Sequence, residues 1–316
     1  MLGRMKVSKP HSCSTMSEIA TCPATTQSTA IDLFAPEQNA PMEYPNRNIV
    51  SGVAPGCFHM DVPAEEYHQL PDSVSCSGLK HLLRSPAHYQ AYLEDPDDGK
   101  PNVGTALHCA VLEPERFDQE YTVFSGRRGT KVFDAFVQEN PGKIILNEQE
   151  WIKVHGMTRA IMSHKEFPLW KALQTAKREM SVFWTDEETG VQCRVRFDAL
   201  CAPFANFDLK TTTDARPEHF IKQAVRLDYD LQAAMYTEAA HRFTGEVLPF
   251  IFVAVEEDAP NGLWLLTAGQ SMIDNGWKKF RRALSLYKTC KESGFWPGYT
   301  NAQTTLEMPR YALLED

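Results

Sequence analysis

Three residues stand where they could serve hard-cation or phosphoryl chemistry: Asp198, Asp208 and Lys210. Asp208 and Lys210 lie two apart in FANFDLKTTTDA, residues 204–215. Side chains alternate faces along a strand, so these two point the same way, while Phe207 and Leu209 point the other. Alone, an Asp-x-Lys is equally a surface ion pair on a half-buried strand. Upstream, VQCRVRFDAL (191–200) alternates as well. Val191, Cys193, Val195, Phe197 and Ala199 share one face; Gln192, Arg194, Arg196 and Asp198 share the other. A hairpin between the two stretches brings Asp198 to the Asp208 end of the next strand. Two carboxylates on adjacent strands form a hard-oxygen site suited to Mg2+, with Mn2+ as the alternative. A lysine beside them can orient or deprotonate a water and stabilise charge on a phosphate.

Other residues gain meaning from that pair. Gln232 and Tyr236 are four apart in DYDLQAAMYTEAAHRF and share a helix face. By themselves they read as ordinary helix surface and core. His108 lies in GTALHCAVLEPERF among Ala106, Leu107, Ala110 and Val111, where a lone histidine reads as a satisfied core residue. Glu179, just before SVFW, is either a surface glutamate or a neighbour of the metals. Arg127, Arg128 and Lys131 occupy the basic loop FSGRRGTK, which either grips phosphate or is simply solvated. Arg194 and Arg196 either contact phosphate or pair with carboxylates.

The elements that must position these residues follow from period and punctuation. Ser75 or Ser77 caps a helix through Leu79, Leu82 and Leu83, and Ser85-Pro86 opens another with Tyr89 and Tyr92. Pro63 opens a short helix through Tyr67, and DPDDGKPN is a turn cluster. GTALHCAVL is a buried helix ended by Glu113-Pro114. Residues 147–178 read as helical. From Met180 the period becomes two: SVFW, the turn DEETG, the return strand VQCRVRFDAL, then FDLKT. A helix from Asp228 crosses over to the buried strand LPFIFVAV; WLLTA follows, and a helix over 271–293 closes the chain. The sheet is therefore mixed, antiparallel first and then parallel across the helix, in an α/β fold. Residues 1–52 are rich in Ser, Thr, Pro, Ala and Asn without a period and read as a tail or linker; 53–316 form the ordered domain.

Composition sets outer limits. The formal charge of −9 argues against a generally basic nucleic-acid coat, though not against a local basic channel. The eight cysteines form no C-x-x-C pair, which speaks against a zinc ribbon and for free thiols in a reducing compartment. There is no run of eighteen apolar residues and no apolar signal core, so no membrane span and a cytoplasmic location are expected.

The spacing Asp-x9-Asp-x-Lys is the loose signature of the PD-(D/E)xK (restriction-endonuclease-like) nuclease core. Gln-x-x-x-Tyr and an upstream histidine are companions of that pair in its RecB-like branch. From about residue 54 to 316 the chain resembles the nuclease domain of the exonuclease VIII (RecE) family. The likeness is carried by GTALHCAVLEPERF, TDEETGVQCRVRFDAL, FDLKTTTDA, YDLQAAMY, WPGY and MPRYA. A glutamate at the place of Glu179 recurs in that family. The resemblance implies a Mg2+-dependent exonuclease on linear double-stranded DNA that degrades the 5′ strand and leaves 3′ single-stranded tails. It implies double-stranded DNA ends as substrate, a RecT-like single-strand annealing protein as partner, and a homo-oligomeric ring, a tetramer. His108, Asp198 and Asp208 would be metal ligands, Lys210 would handle the attacking water, and Gln232 and Tyr236 would position the DNA end or support the site. The chain departs from the family in its short tail and in carrying Asp rather than Glu at 208. Some RecB-like relatives hold an iron–sulfur cluster with three C-terminal cysteines; here only Cys290 lies there, so none is expected. An endonuclease on the same core, or a non-catalytic DNA-binding protein on a degenerate one, are the competing readings.

Overall fold

The computed structural model describes residues 54, 56–60, 67, 73–94, 102–165, 168–299 and 303–309. The expected tail, most of the helix from Pro63, nearly all of DPDDGKPN and the last residues of MPRYA lie outside them. The central sheet has six strands: β1 (Phe58–Met60), β4 (Lys177–Thr185), β5 (Gln192–Cys201), β6 (Ala205–Thr212), β7 (Phe250–Glu256) and β8 (Leu263–Thr267), hydrogen-bonded in that order. All neighbours are antiparallel except β6 and β7, which run parallel. That is the mixed sheet expected, with a helical crossover where parallel strands demand one.

Local chemistry sets the boundaries. Gly190 takes a positive φ of 71° in the β4–β5 turn, where Asp186 accepts from the amide and hydroxyl of Thr189. In β5 the alternate residues Cys193, Val195, Phe197 and Ala199 are all buried. Ser75 caps α1 (Cys76–Arg84) by accepting from the Gly78 amide, and α2 (Pro86–Glu94) opens on its proline. Asn102 caps α3 (Val103–Leu112), the helix that carries His108; α4 (Pro114–Glu120) follows at once.

A second sheet was not anticipated. β2 (Tyr121–Phe124) and β3 (Ile144–Asn147) pair in parallel, with α5 (Lys131–Glu139) between them. Each strand is four residues long, too short for its period to be read. Asn147 and Glu150 form a reciprocal capping box at the start of α6 (Glu148–Met162), and α7 (Leu169–Thr175) leads into β4. Strand β4 begins at Lys177, not near Met180, so Glu179 lies inside it. α8 (Pro217–Arg226) was also unforeseen; it buries Phe220 and Ala224 and leaves Ile221 and Val225 exposed.

α9 (Tyr229–Thr244) is buried along most of its length and packs on the sheet and on α10 (Gln270–Ser293). One core joins Leu231, Ala234 and Met235 of α9 to Val195 and Phe197 of β5 and to Phe280 and Leu284 of α10. The WPGY segment folds back on α2: Trp296 stacks on Tyr89 with ring centroids 5.5 Å apart, and the Ala87 amide donates to the Pro297 carbonyl.

The α9–α10 approach is set by Gly276. A Cβ there would lie 1.8 Å from the Asp230 carbonyl oxygen, which is backbone and cannot step aside. Gly276→Ala is therefore expected to lower unfolding stability by about 3 kcal/mol or more, as overpacking against fixed atoms does. Urea denaturation of the variant checks this; a change below about 1 kcal/mol would contradict the close packing.

Candidate metal and phosphodiester site

The site forms where β5 and β6 part. Their ladder runs from Cys201–Ala205 to Ala199–Phe207 and stops there. The next backbone donor, the Leu209 amide, is taken up by a side chain instead: Asp198 Oδ2 accepts it at 2.7 Å. The Leu209 carbonyl is used too, accepting from His108 Nε2 at 3.0 Å. A carbonyl can only accept, so in the neutral imidazole Nε2 carries the proton and Nδ1 is bare. Burial, and then the Lys210 charge, lower the His108 pKa and favour that neutral form.

His108 Nδ1 lies 3.5 Å from Asp198 Oδ2. A bare nitrogen facing a carboxylate oxygen is unfavourable unless a proton or a cation sits between them. Glu179 completes the group. β4 and β5 pair at Arg178–Ala199 and Met180–Phe197, which sets Glu179 across from Asp198, with a positive φ of 50°. Such a backbone is costly for a glutamate and is typical of functional positions. One ligand atom each from His108, Glu179 and Asp198 lie within 4.8 Å of one another. The solvated-surface reading of Glu179 is thus corrected: its carboxylate faces the site and accepts from Arg196 Nε at 2.6 Å. Burial, then the Asp208 charge, push the Asp198 carboxyl up to about 7. Burial, then the Asp198 charge, raise Glu179 as well. One imidazole nitrogen and two carboxylates crowded out of water fit a divalent cation.

Asp208 stands beside this cluster and is held from the other side. Gln232 Nε2 donates to its Oδ1 at 2.6 Å, and Lys210 Nζ forms an ion pair with its Oδ2. That second oxygen is buried, and the Lys210 ammonium is its partner there. Burial alone would lower the Lys210 pKa, but the Asp208 and Asp198 charges outweigh it and raise the pKa. Lys210 is therefore an ammonium here, fitted to orient a water or neutralise a phosphate oxygen rather than to take a proton. Its Nζ lies 5.1 Å from the ring centroid of Tyr229, a contact that sequence reading did not foresee. Tyr236 packs its ring edge-on to Phe197 and Phe250 at 5.7 and 6.0 Å. Burial raises its pKa, with the Asp208 and Asp198 charges among the lesser causes.

The basic residues divide. Arg196 lines a cavity of about 300 Å3 with His108, Glu179, Glu113, Arg116 and Tyr121, open to the cluster. Arg194 is 3% exposed and donates from Nη1 to the Ser73 hydroxyl at 2.8 Å and to the Ser73 carbonyl. Its expected phosphate contact is corrected: it ties β5 to the segment before α1. Arg127 and Lys131 are exposed and do not line the cavity. Arg128 donates to the Ile145 carbonyl at 2.6 Å and pairs with Glu150. These three belong to the smaller sheet and are not gathered around the cluster.

A mixed sheet flanked by helices, with an Asp, an Asp-x-Lys and a helix-borne Gln converging where two strands part, defines the PD-(D/E)xK class. The chain belongs to the family described as a PDDEXK-like domain of unknown function (DUF3799), which it matches over residues 75–307. No curated protein matches the sequence. A solved structure from Eubacterium rectale, provisionally described as an exonuclease, shares the fold with a TM-score of 0.53 at 14% identity, covering 79% of this chain and 96% of that one. No helix among the described residues is long and apolar enough to cross a membrane.

The raised Asp198 carboxyl gives a pH prediction. A cation must displace the proton held below about 7. Affinity should therefore rise with pH, by at most about tenfold per unit, and level off above that point. Without cation the sign reverses: the unfolded chain ionises this group near 3.8 while the fold keeps its proton up to about 7, so stability falls as pH rises through that window and levels off above it. The rise in Tm on adding Mg2+ or Mn2+ should be small in mild acid, grow toward neutrality and vanish in Asp198→Asn. A pH-independent rise, or one kept by the variant, would contradict the assignment.

Proposed function

We propose that the protein is a divalent-cation-dependent nuclease that hydrolyses phosphodiesters in DNA. The observation that supports this most is the convergence of His108, Glu179 and Asp198 beside Asp208, Lys210 and Gln232. His108, Glu179 and Asp198 would hold the cation, which when bound would supply Lewis-acid polarisation of the phosphodiester and of the attacking water. Lys210 orients that water or neutralises a phosphate oxygen. Asp208 keeps Lys210 in place, and Gln232 keeps Asp208 in place. The Leu209 peptide group fixes the ligands before substrate arrives, so little reorganisation accompanies reaction.

Within that reading, the preferred substrate is linear double-stranded DNA, attacked from an end in the 5′-to-3′ direction with Mg2+ as cofactor and leaving 3′ tails. The RecE resemblance supports this finer statement, and the provisional description of the Eubacterium rectale neighbour agrees with exonucleolytic action. A tetrameric ring and a RecT-like annealing partner rest on the resemblance alone. Phosphate contacts without base readout should give little sequence preference and a strong salt dependence.

Linear duplex labelled at the 5′ or the 3′ end, with closed circular duplex as control, tests the reading. Early release of 5′ label, intact circles and a loss of about a thousandfold or more in Lys210→Ala and Asp208→Ala are expected, the scale of removing a main transition-state contact. Cut circles would move the reading to an endonuclease. No cleavage with Mg2+ or Mn2+ would overturn it in favour of a DNA-binding protein.

A further inference from the structure

A second, larger cavity of about 610 Å3 is walled by α1, the end of α8 and α10. Lys80, Arg84, Arg226, Lys279 and Arg282 line it, against the single carboxylate of Asp228. In a chain of formal charge −9 this is a pronounced local reversal. Lys279 Nζ meets Asp228 at 2.6 Å and Asp230 at 2.9 Å, so one ammonium is shared between two carboxylates. Lys80, Arg84, Arg226 and Arg282 have no carboxylate partner among the described residues; Arg84 donates only to the Tyr299 hydroxyl, at 3.0 Å. These four unpaired cations outweigh the carboxylate charge left on Asp228 and repel one another, an arrangement that a bound polyanion relieves.

The cavity joins the site through one ring. Lys80 Nζ lies 5.3 Å from the centroid of Tyr229, the ring that Lys210 Nζ approaches to 5.1 Å. The two ammonium groups are thus at most roughly 10 Å apart, about three nucleotide rises at about 3.4 Å each. Arg226 also lines a smaller cavity with Lys222, beside His219 and the Asp214 carboxylate that faces it at 3.6 Å.

We propose that this cavity binds the phosphates of the nucleic-acid strand running through the site, within the first few nucleotides of the scissile bond. The proposal rests on the nuclease reading above and adds to it the path of the strand. An extended polyanion suits unpaired cations spread over α1, α8 and α10 better than a compact one. Free phosphate is the alternative source of the same chemistry.

The double variant Arg226→Ala/Arg282→Ala tests this, since both side chains are exposed and unpaired and their removal should not disturb folding. Fluorescence anisotropy with labelled DNA in EDTA reads binding without cleavage. The expected result is an affinity loss of about tenfold or more, with the slope of log K against log salt reduced by about 1.4 to 1.8, the value for two lost phosphate contacts. Hydrolysis of bis(p-nitrophenyl) phosphate, too small to reach the cavity, should stay within about twofold of wild type if chemistry is untouched. Unchanged DNA affinity and salt slope would overturn the proposal, whatever the activity. Loss of stabilisation by millimolar inorganic phosphate with DNA binding intact would overturn it in favour of free phosphate. Failure of wild type to hydrolyse either substrate would sink the nuclease reading alone, and the anisotropy would still decide the cavity.

Discussion

One peptide group organises the site. The amide of Leu209 holds Asp198 and its carbonyl holds His108, each by a hydrogen bond of 3.0 Å or less. Both groups are free because β5 and β6 stop pairing at Ala199–Phe207. A continuous ladder would have consumed them, and an unfilled gap would have left buried backbone unsatisfied. The parting of the strands therefore demands polar side chains at this point. Those that answer it are ligands already aimed by their second hydrogen bonds.

The neighbouring charges follow from that constraint. Burial raises the carboxyls of both Asp198 and Glu179, and the neighbouring charge adds to it, Asp208 acting on Asp198 and Asp198 on Glu179. Asp208 escapes the cluster because Gln232 and Lys210 take its oxygens. The result is a division of labour along two strands: a proton-or-cation cluster on the His108 side and a carboxylate–ammonium pair on the Gln232 side. Beyond the pair, the Tyr229 ring is approached by both Lys210 and Lys80, at 5.1 and 5.3 Å.

Most of this was legible wherever period and identity agreed. The strand alternation of VQCRVRFDAL and FDLKT located Asp198, Asp208 and Lys210, and the four-residue spacing located Gln232 and Tyr236. What escaped was set by tertiary context. Glu179 stays open between a surface and a metal-side reading because the period of two is legible only from Met180, and its left-handed backbone leaves no mark in the sequence. Arg194 shares a face with Asp198, yet its guanidinium is spent on Ser73, a contact across more than a hundred residues. Strands β2 and β3 were too short to show a period. The basic cavity draws its residues from three helices far apart in the chain, and one of those helices, α8, was not foreseen.

We infer that a divalent cation belongs between His108, Glu179 and Asp198. Anomalous diffraction from crystals soaked in Mn2+ would locate it. A peak is expected within coordination distance of His108 Nδ1 and of carboxylate oxygens of Glu179 and Asp198. Well-diffracting crystals with no peak there, or with the cation held elsewhere, would contradict it.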